Sequence, residues 1–185
     1  MNNTFYFAYG SNMNPERIRQ RIPHARLVGK ATVKGWRLVE RQYADAEKAV
    51  GHTVEGVVYL LTQSELMTLD RYEGYPDTYA CKIVNAHLDE KHSVRAVLYT
   101  LTEAKRKERE GKPYPEDYRL ICSMGAKARG VRDEFAREGD ERHFGGRFVA
   151  KGASRKVKAR MEKDEPKHDE WCPPMPVLGD GTAKC

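Results

Sequence analysis

Two short segments carry groups that could do chemistry together. Tyr9-Gly10-Ser11-Asn12 follows an aromatic, β-favouring run at residues 4–9. A glycine directly after a strand lets backbone N–H groups turn outward and converge on an anion. By itself the signal is weak and such a segment is usually just a turn, and neither dinucleotide-type GxGxxG nor a P-loop pattern occurs in the chain. Glu73 closes a helical segment, where the macrodipole disfavours negative charge by up to about 1 kcal/mol. Two readings stay open for it: a solvated surface carboxylate, or a carboxylate whose pKa is raised among Tyr72, Tyr75 and Tyr79 and which is poised to shuttle a proton. Asp70, one turn earlier, competes but lacks the adjacent glycine.

Tyr118 could aim its hydroxyl into a cavity or fill the core beside Ile121 and Cys122. Cys122 lies among apolar residues with no base nearby in sequence and reads as an inert buried thiol. The six histidines do not cluster with ligand spacing. His168 with Cys172 is one loose pair, whereas zinc needs three or four ligands, so no metal and no cofactor is assigned.

The surrounding pattern supplies elements to hold these groups. Residues 4–9 read as a strand. Asn14 is a good N-cap and Pro15 suits a first helical position, with Ile18 on the apolar face and Pro23 closing the helix. Two strands are expected within residues 26–41, interrupted at Gly35, and the small, polar stretch 43–53 reads as a loop. Residues 55–61 form an apolar β-branched run that stops at Thr62-Gln63-Ser64-Glu65, the spacing of a capping box. The helix it starts carries Leu66, Leu69 and Tyr72 to Glu73, with Gly74 and Pro76 as stop signals. Strands at 79–88 and 93–101 flank the charged turn Asp89-Glu90-Lys91. A basic, mobile stretch at 105–112 leads to Pro115, which starts a helix carrying Tyr118, Ile121, Cys122 and Met124 and breaking at Gly130. One or two further helical turns are expected at 131–137. Strands with helices inserted between and after them give an α+β domain with a curved or barrel-like sheet.

Composition bounds what such a domain is for. With 185 residues, 39% hydrophobic and 32% charged, the chain suits one domain at residues 1–140 and a polar, poorly ordered extension at 141–185. Disordered and collagen-like classes are excluded for most of it, and no apolar run approaches the roughly 20 residues of a membrane helix. The opening residues lack the basic and apolar regions of a signal peptide. The net charge is +6. It is diffuse: the one dense basic cluster, 151–160, is followed at once by an acidic stretch at 162–170, which argues against a nucleic-acid interface. Cys81, Cys122, Cys172 and Cys185 form no CxxC pair and read as reduced thiols of a cytoplasmic protein.

Taken together, the segments resemble the γ-glutamylcyclotransferase family. The matching pieces are Phe7-Ala8-Tyr9-Gly10-Ser11-Asn12-Met13, Gly56-Val57-Val58-Tyr59, Leu69-Asp70-Arg71-Tyr72-Glu73-Gly74 with Tyr79 downstream, and Tyr118 followed by Met124-Gly125-Ala126-Lys127. They occur in the family's order across residues 5–138, and the last narrows the likeness toward the cytosolic γ-glutamylcyclotransferases rather than the γ-glutamylamine relatives. The resemblance implies a small mixed β-barrel with peripheral helices. It also implies cyclisation of a γ-glutamyl group to 5-oxoproline with release of the attached amine, Glu73 acting as general acid and base. Substrate contacts would come from Phe7, Ala8, Tyr9, Gly10, Ser11, Asn12 and Tyr118, with no metal or cofactor. The implied partner is a small γ-glutamyl compound; monomer and homodimer both remain open. The alternatives are a non-catalytic module binding a small ligand in the same cavity, and a γ-glutamylamine cyclotransferase. Residues 141–185 match nothing in that family's pattern.

Overall fold

The computed structural model describes residues 3–137. The extension at 141–185, its basic cluster, Cys172, Cys185, His143 and His168 lie outside the described residues, as does the end of the expected domain at 138–140.

Five strands close into a barrel in the order β1 (Asn3–Ala8), β3 (Tyr43–Thr62), β2 (Arg26–Arg41), β4 (Tyr79–His87), β5 (Ser93–Leu101). Neighbours are antiparallel except β1 and β5, which run parallel, so the barrel is mixed as the resemblance implies. The seam between β2 and β4 is a single pair, Thr32 with His87. Phe7, Val33, Val58, Leu61 and Leu98 are almost wholly buried and belong to one core that packs both faces of the sheet. Each such side chain contributes roughly 1.5–3 kcal/mol of burial. Where β3 crosses β1, only glycine fits. A Cβ on Gly56 would stand 2.3 Å from the Ala8 carbonyl oxygen and 2.7 Å from Phe7 Cζ. Gly56→Ala must therefore push β1 and β3 apart, and a loss of about 1–3 kcal/mol is expected in denaturant unfolding, the usual cost of overpacking. An unchanged midpoint would refute that close approach.

Four expectations about elements need correction. Residues 26–41 form one continuous strand, because Gly35, at φ +78, absorbs a register shift between Lys34 and Trp36 without ending it. Residues 43–53 are strand rather than loop. Their polar side chains pair across the hairpin, with Arg41 donating to Asp45 at 2.7 Å and to Glu47 at 2.9 Å, and Arg37 bonded to Glu47. The basic stretch after β5 contains a helix, α3 (Glu103–Arg109). Thr102 caps it, and the ion pairs Glu103–Lys107 and Lys105–Glu108 bind its exposed face at helical spacing. Residues 131–137, in contrast, are not helical. They run back over α4 (Glu116–Arg129), where Arg119 Nη1 donates to the Phe135 carbonyl at 2.9 Å and buried Val131 and Phe135 anchor the chain.

The remaining helices follow the sequence signals. In α1 (Pro15–Arg21), Asn14 Oδ1 accepts from Glu16 N at 2.9 Å and Arg17 N at 3.1 Å. In α2 (Gln63–Glu73), Thr62 and Glu65 form the reciprocal capping box, and Gly74, at φ 62 and ψ 38, ends the helix in the left-handed conformation. The α2 face turned to the barrel is Leu66, Leu69 and Asp70, with Tyr72 only half-buried at its flank.

Candidate active site

Two local devices bring the chemistry-bearing segments together at one end of the barrel. After β1 the chain tightens into a 3-10 turn (Ser11–Met13), with Met13 N–H bonded to the Gly10 carbonyl at 3.0 Å. The first N–H groups of such a turn, here those of Ser11 and Asn12, have no acceptor within it. Meanwhile α2 carries its buried stripe one turn further. Residues 66, 69, 70 and 73 share a face by the i, i+3, i+4, i+7 rule, so Glu73 enters the barrel mouth and not the solvent.

There the Glu73 carboxylate accepts from Asn12 Nδ2 at 2.9 Å and lies 3.5 Å from Arg21 Nη1. Only 14% of its side chain is exposed. Burial pushes its pKa above the ordinary 4.5, against the downward pull of Arg21, the Asn12 amide and Arg17. Of the two readings open for Glu73, the solvated surface carboxylate is set aside. Asp70 is buried deeper and spent: it accepts from the Tyr99 hydroxyl. Asn12 is used on every side. Its Nδ2 also donates to Tyr6 Oη at 2.8 Å, its Oδ1 accepts from Arg21 at 3.1 Å and its carbonyl accepts from Tyr59 at 3.1 Å.

A narrow inner chamber opens over these groups, with Tyr9, Gly10, Ser11, Asn12, Glu73 and Tyr118 in its wall. Gly10 packs closely: a Cβ there would crowd Ala44 Cβ at 3.0 Å and Tyr118 Oη at 3.2 Å. Tyr118, for which cavity and core were both open, lines the chamber; its hydroxyl accepts from Ala44 N–H at 3.0 Å. Tyr79 donates to the Ala44 carbonyl at 3.1 Å, so the N–H and C=O of one residue fix two phenols. Phe7 and Ala8 are elsewhere. They are 0% and 1% exposed in the core and absent from the chamber wall. Burial pushes the Cys122 thiol up to about 12, which suits an inert packing residue.

Several site residues are not apparent from the sequence. Tyr6 and Tyr99 reach the chamber from β1 and β5, and Ala44 from the stretch expected to be a loop. A second, wider outer space shares Ser11, Glu73, Tyr79 and Tyr118 with the first, so Glu73 stands where one passes into the other. Arg17, Arg21, Arg71 and Arg109 line this vestibule. The i, i+4 spacing of Arg17 and Arg21 is a readable sign that α1 presents guanidinium groups on one face. Among the described residues, no group of three or more His, Cys, Asp or Glu side chains is placed to hold a metal ion, and no helix is long and apolar enough to cross a membrane.

The arrangement offers a proton acceptor of raised basicity beside backbone donors for an anion. A family model described as gamma-glutamyl cyclotransferase, AIG2-like, matches residues 6–120. Gamma-glutamylcyclotransferases of Mus musculus and Homo sapiens are each 29% identical over 143 residues, covering 70% of this chain and 73% of the relative. A solved structure described as a gamma-glutamyl cyclotransferase superposes with a TM-score of 0.63 at 24% identity, covering 88% of this chain and 99% of the other. A human protein described as uncharacterized gives 0.67 with the same identity and coverage. Since the match spans more than half of the sequence and includes both the Gly10 turn and Glu73, the chain belongs to the gamma-glutamyl cyclotransferase, AIG2-like family.

Proposed function

We propose that the protein converts a γ-glutamyl compound to 5-oxoproline and a free amine, with Glu73 carrying the protons. The observation behind this reading is one buried carboxylate, held by Asn12, facing the chamber floored by residues 10–12. The nucleophile is the substrate's own α-amine, which is protonated at neutral pH. Glu73 takes a proton from it, the nitrogen attacks the γ-carbonyl, and the tetrahedral centre collapses with loss of the amide C–N bond. In all, two protons pass from the α-nitrogen to the departing nitrogen, which leaves as an ammonium ion. Glu73 relays them, a role that contributes about 10²–10⁴-fold. The Ser11 and Asn12 N–H groups receive the substrate carboxylate or the developing oxyanion, where one well-placed donor is worth about 3 kcal/mol. Ring closure is intramolecular, so the chamber's main task is to hold the folded-back conformer. Reduced Cys81 and Cys122 suit a cytoplasmic setting.

Purified full-length chain incubated with γ-glutamyl dipeptides and γ-glutamylamines, with products read by mass spectrometry, is expected to release 5-oxoproline. A rise in melting temperature with no turnover would make the protein a binding module instead.

The pH profile gives a second check. The base must be ionised, so kcat/KM falls with acid through the raised pKa of Glu73, and the acid limb is expected above pH 4.5. Arg21 favours the ionised form. Arg21→Gln should therefore move the limb to higher pH; an unmoved or downward-shifted limb would detach the profile from Glu73.

A further inference from the structure

The inner chamber accounts for a γ-glutamyl unit, but not for the charge outside it. Four arginines from three helices converge on the vestibule, and the carboxylate facing them there is Glu73. Arg21 is committed to Glu73 and Asn12. Arg71, at the end of α2, and Arg109, at the end of α3, have no carboxylate partner among the described residues. Arg109 sits over the Tyr43 ring, its Cζ 5.2 Å from the centroid, and its buried Nε makes no hydrogen bond. The guanidinium is thus held against an aromatic face with donors unspent, and a guanidinium with free donors suits bidentate capture of a carboxylate.

The geometry points to a leaving amine that carries two acid groups, a γ-glutamyl derivative of glutamate or aspartate, with Arg71 and Arg109 as the specificity-determining residues. This rests on the cyclisation reading above. With the γ-carbonyl at Glu73 and the glutamyl carboxylate on the residue 10–12 backbone, everything beyond the scissile bond extends into the vestibule. An α-carboxylate on the leaving group meets one of the two open guanidinium groups. A side-chain carboxylate meets the other, and a neutral amide of the same shape leaves it unmatched. A cationic leaving group meets repulsion from all four arginines.

The test compares kcat/KM for γ-glutamyl-glutamate, γ-glutamyl-glutamine and γ-glutamyl-lysine, measured as 5-oxoproline release. The wild-type protein is expected to favour the glutamate compound over its glutamine isostere by about tenfold and over the lysine compound by more, with the preference shrinking in high salt. Arg71→Glu/Arg109→Glu should reverse the order in favour of γ-glutamyl-lysine, a gain that an unfolded variant cannot show. Arg71→Lys/Arg109→Lys should restore much of the original order. Equal kcat/KM for the three compounds in the wild-type protein, or an unchanged order in the charge-reversed one, overturns the specificity while leaving cyclisation standing. No 5-oxoproline from any of the three, or from a γ-glutamylamine, overturns both.

Discussion

Glu73→Gln is expected to lower 5-oxoproline release by about 10²–10⁴-fold without weakening the fold. Glutamine keeps the shape and an oxygen for Asn12 Nδ2, but it cannot take a proton from the substrate amine. The stability half of the expectation follows from the direction of the pKa shift. Burial raises Glu73 in the folded state, so its stabilising contribution is complete below its unfolded pKa and is lost as pH rises through the folded value. At pH 7 the buried charge weighs against folding. The variant should then melt at the same temperature as the wild type or higher, and lose that advantage near pH 4, where the wild-type carboxyl becomes neutral. Full activity in a folded Glu73→Gln protein would remove the proton carrier from the mechanism. A large drop in melting temperature at pH 7 would instead make Glu73 a structural ion-pair partner of Arg21.

The largest expected stability effect lies one layer away, at Asp45. This carboxylate is 0% exposed and joins three elements: it accepts from Arg41 at 2.7 Å, pairs with Arg106 Nε at 2.8 Å and accepts from the Leu101 N–H at 2.9 Å. Asp45→Ala leaves the Leu101 N–H without its acceptor and takes a buried carboxylate from Arg41, which keeps Glu47 and Glu110, and from Arg106, which keeps the Ala46 carbonyl. The lost charge-assisted bonds and the orphaned donor together cost about 3–5 kcal/mol. Thermal melting should shift by roughly 10 °C. Because Ala44 next to it holds both Tyr118 and Tyr79, the variant should also lose turnover at temperatures where it is still folded. A shift under about 2 °C would mean that the network is replaceable by solvent.

Comparing these two residues shows what the sequence could reveal. Glu73 is visible because local rules surround it: a capping box at Thr62 and Glu65, an apolar period, then Gly74 where the helix must stop. Those signals fix the helix and its end within a few residues. Its burial is not visible, since that depends on the stripe Leu66, Leu69, Asp70 turning residue 73 into the barrel, whereas the apolar spacing alone points to Tyr72. Asp45 is hidden altogether. A polar run between two strands looks like a loop until its charges meet Arg41 and Arg106, which arrive from another strand and another helix. The same is true of the vestibule, whose arginines are ordinary surface residues in sequence and converge only when α1, α2 and α3 pack around one opening. Mixed-barrel closure is recoverable only through the likeness to a family. Strand existence can be read from β-branched runs, but the parallel pairing of β1 with β5 depends on contacts some ninety residues apart.

The contact between α4 and the 3-10 turn has one more consequence. A Cβ at Gly125 would stand 2.5 Å from Asn14 N, and Arg129, one turn further on, donates to the Met13 carbonyl and the Tyr59 hydroxyl at 3.1 Å each. The last described helix and the turn therefore move as one body. Undocking of that helix and thermal inactivation become a single event, whereas the far side of the barrel, along the thinly paired seam of β2 and β4, can breathe at no cost to turnover.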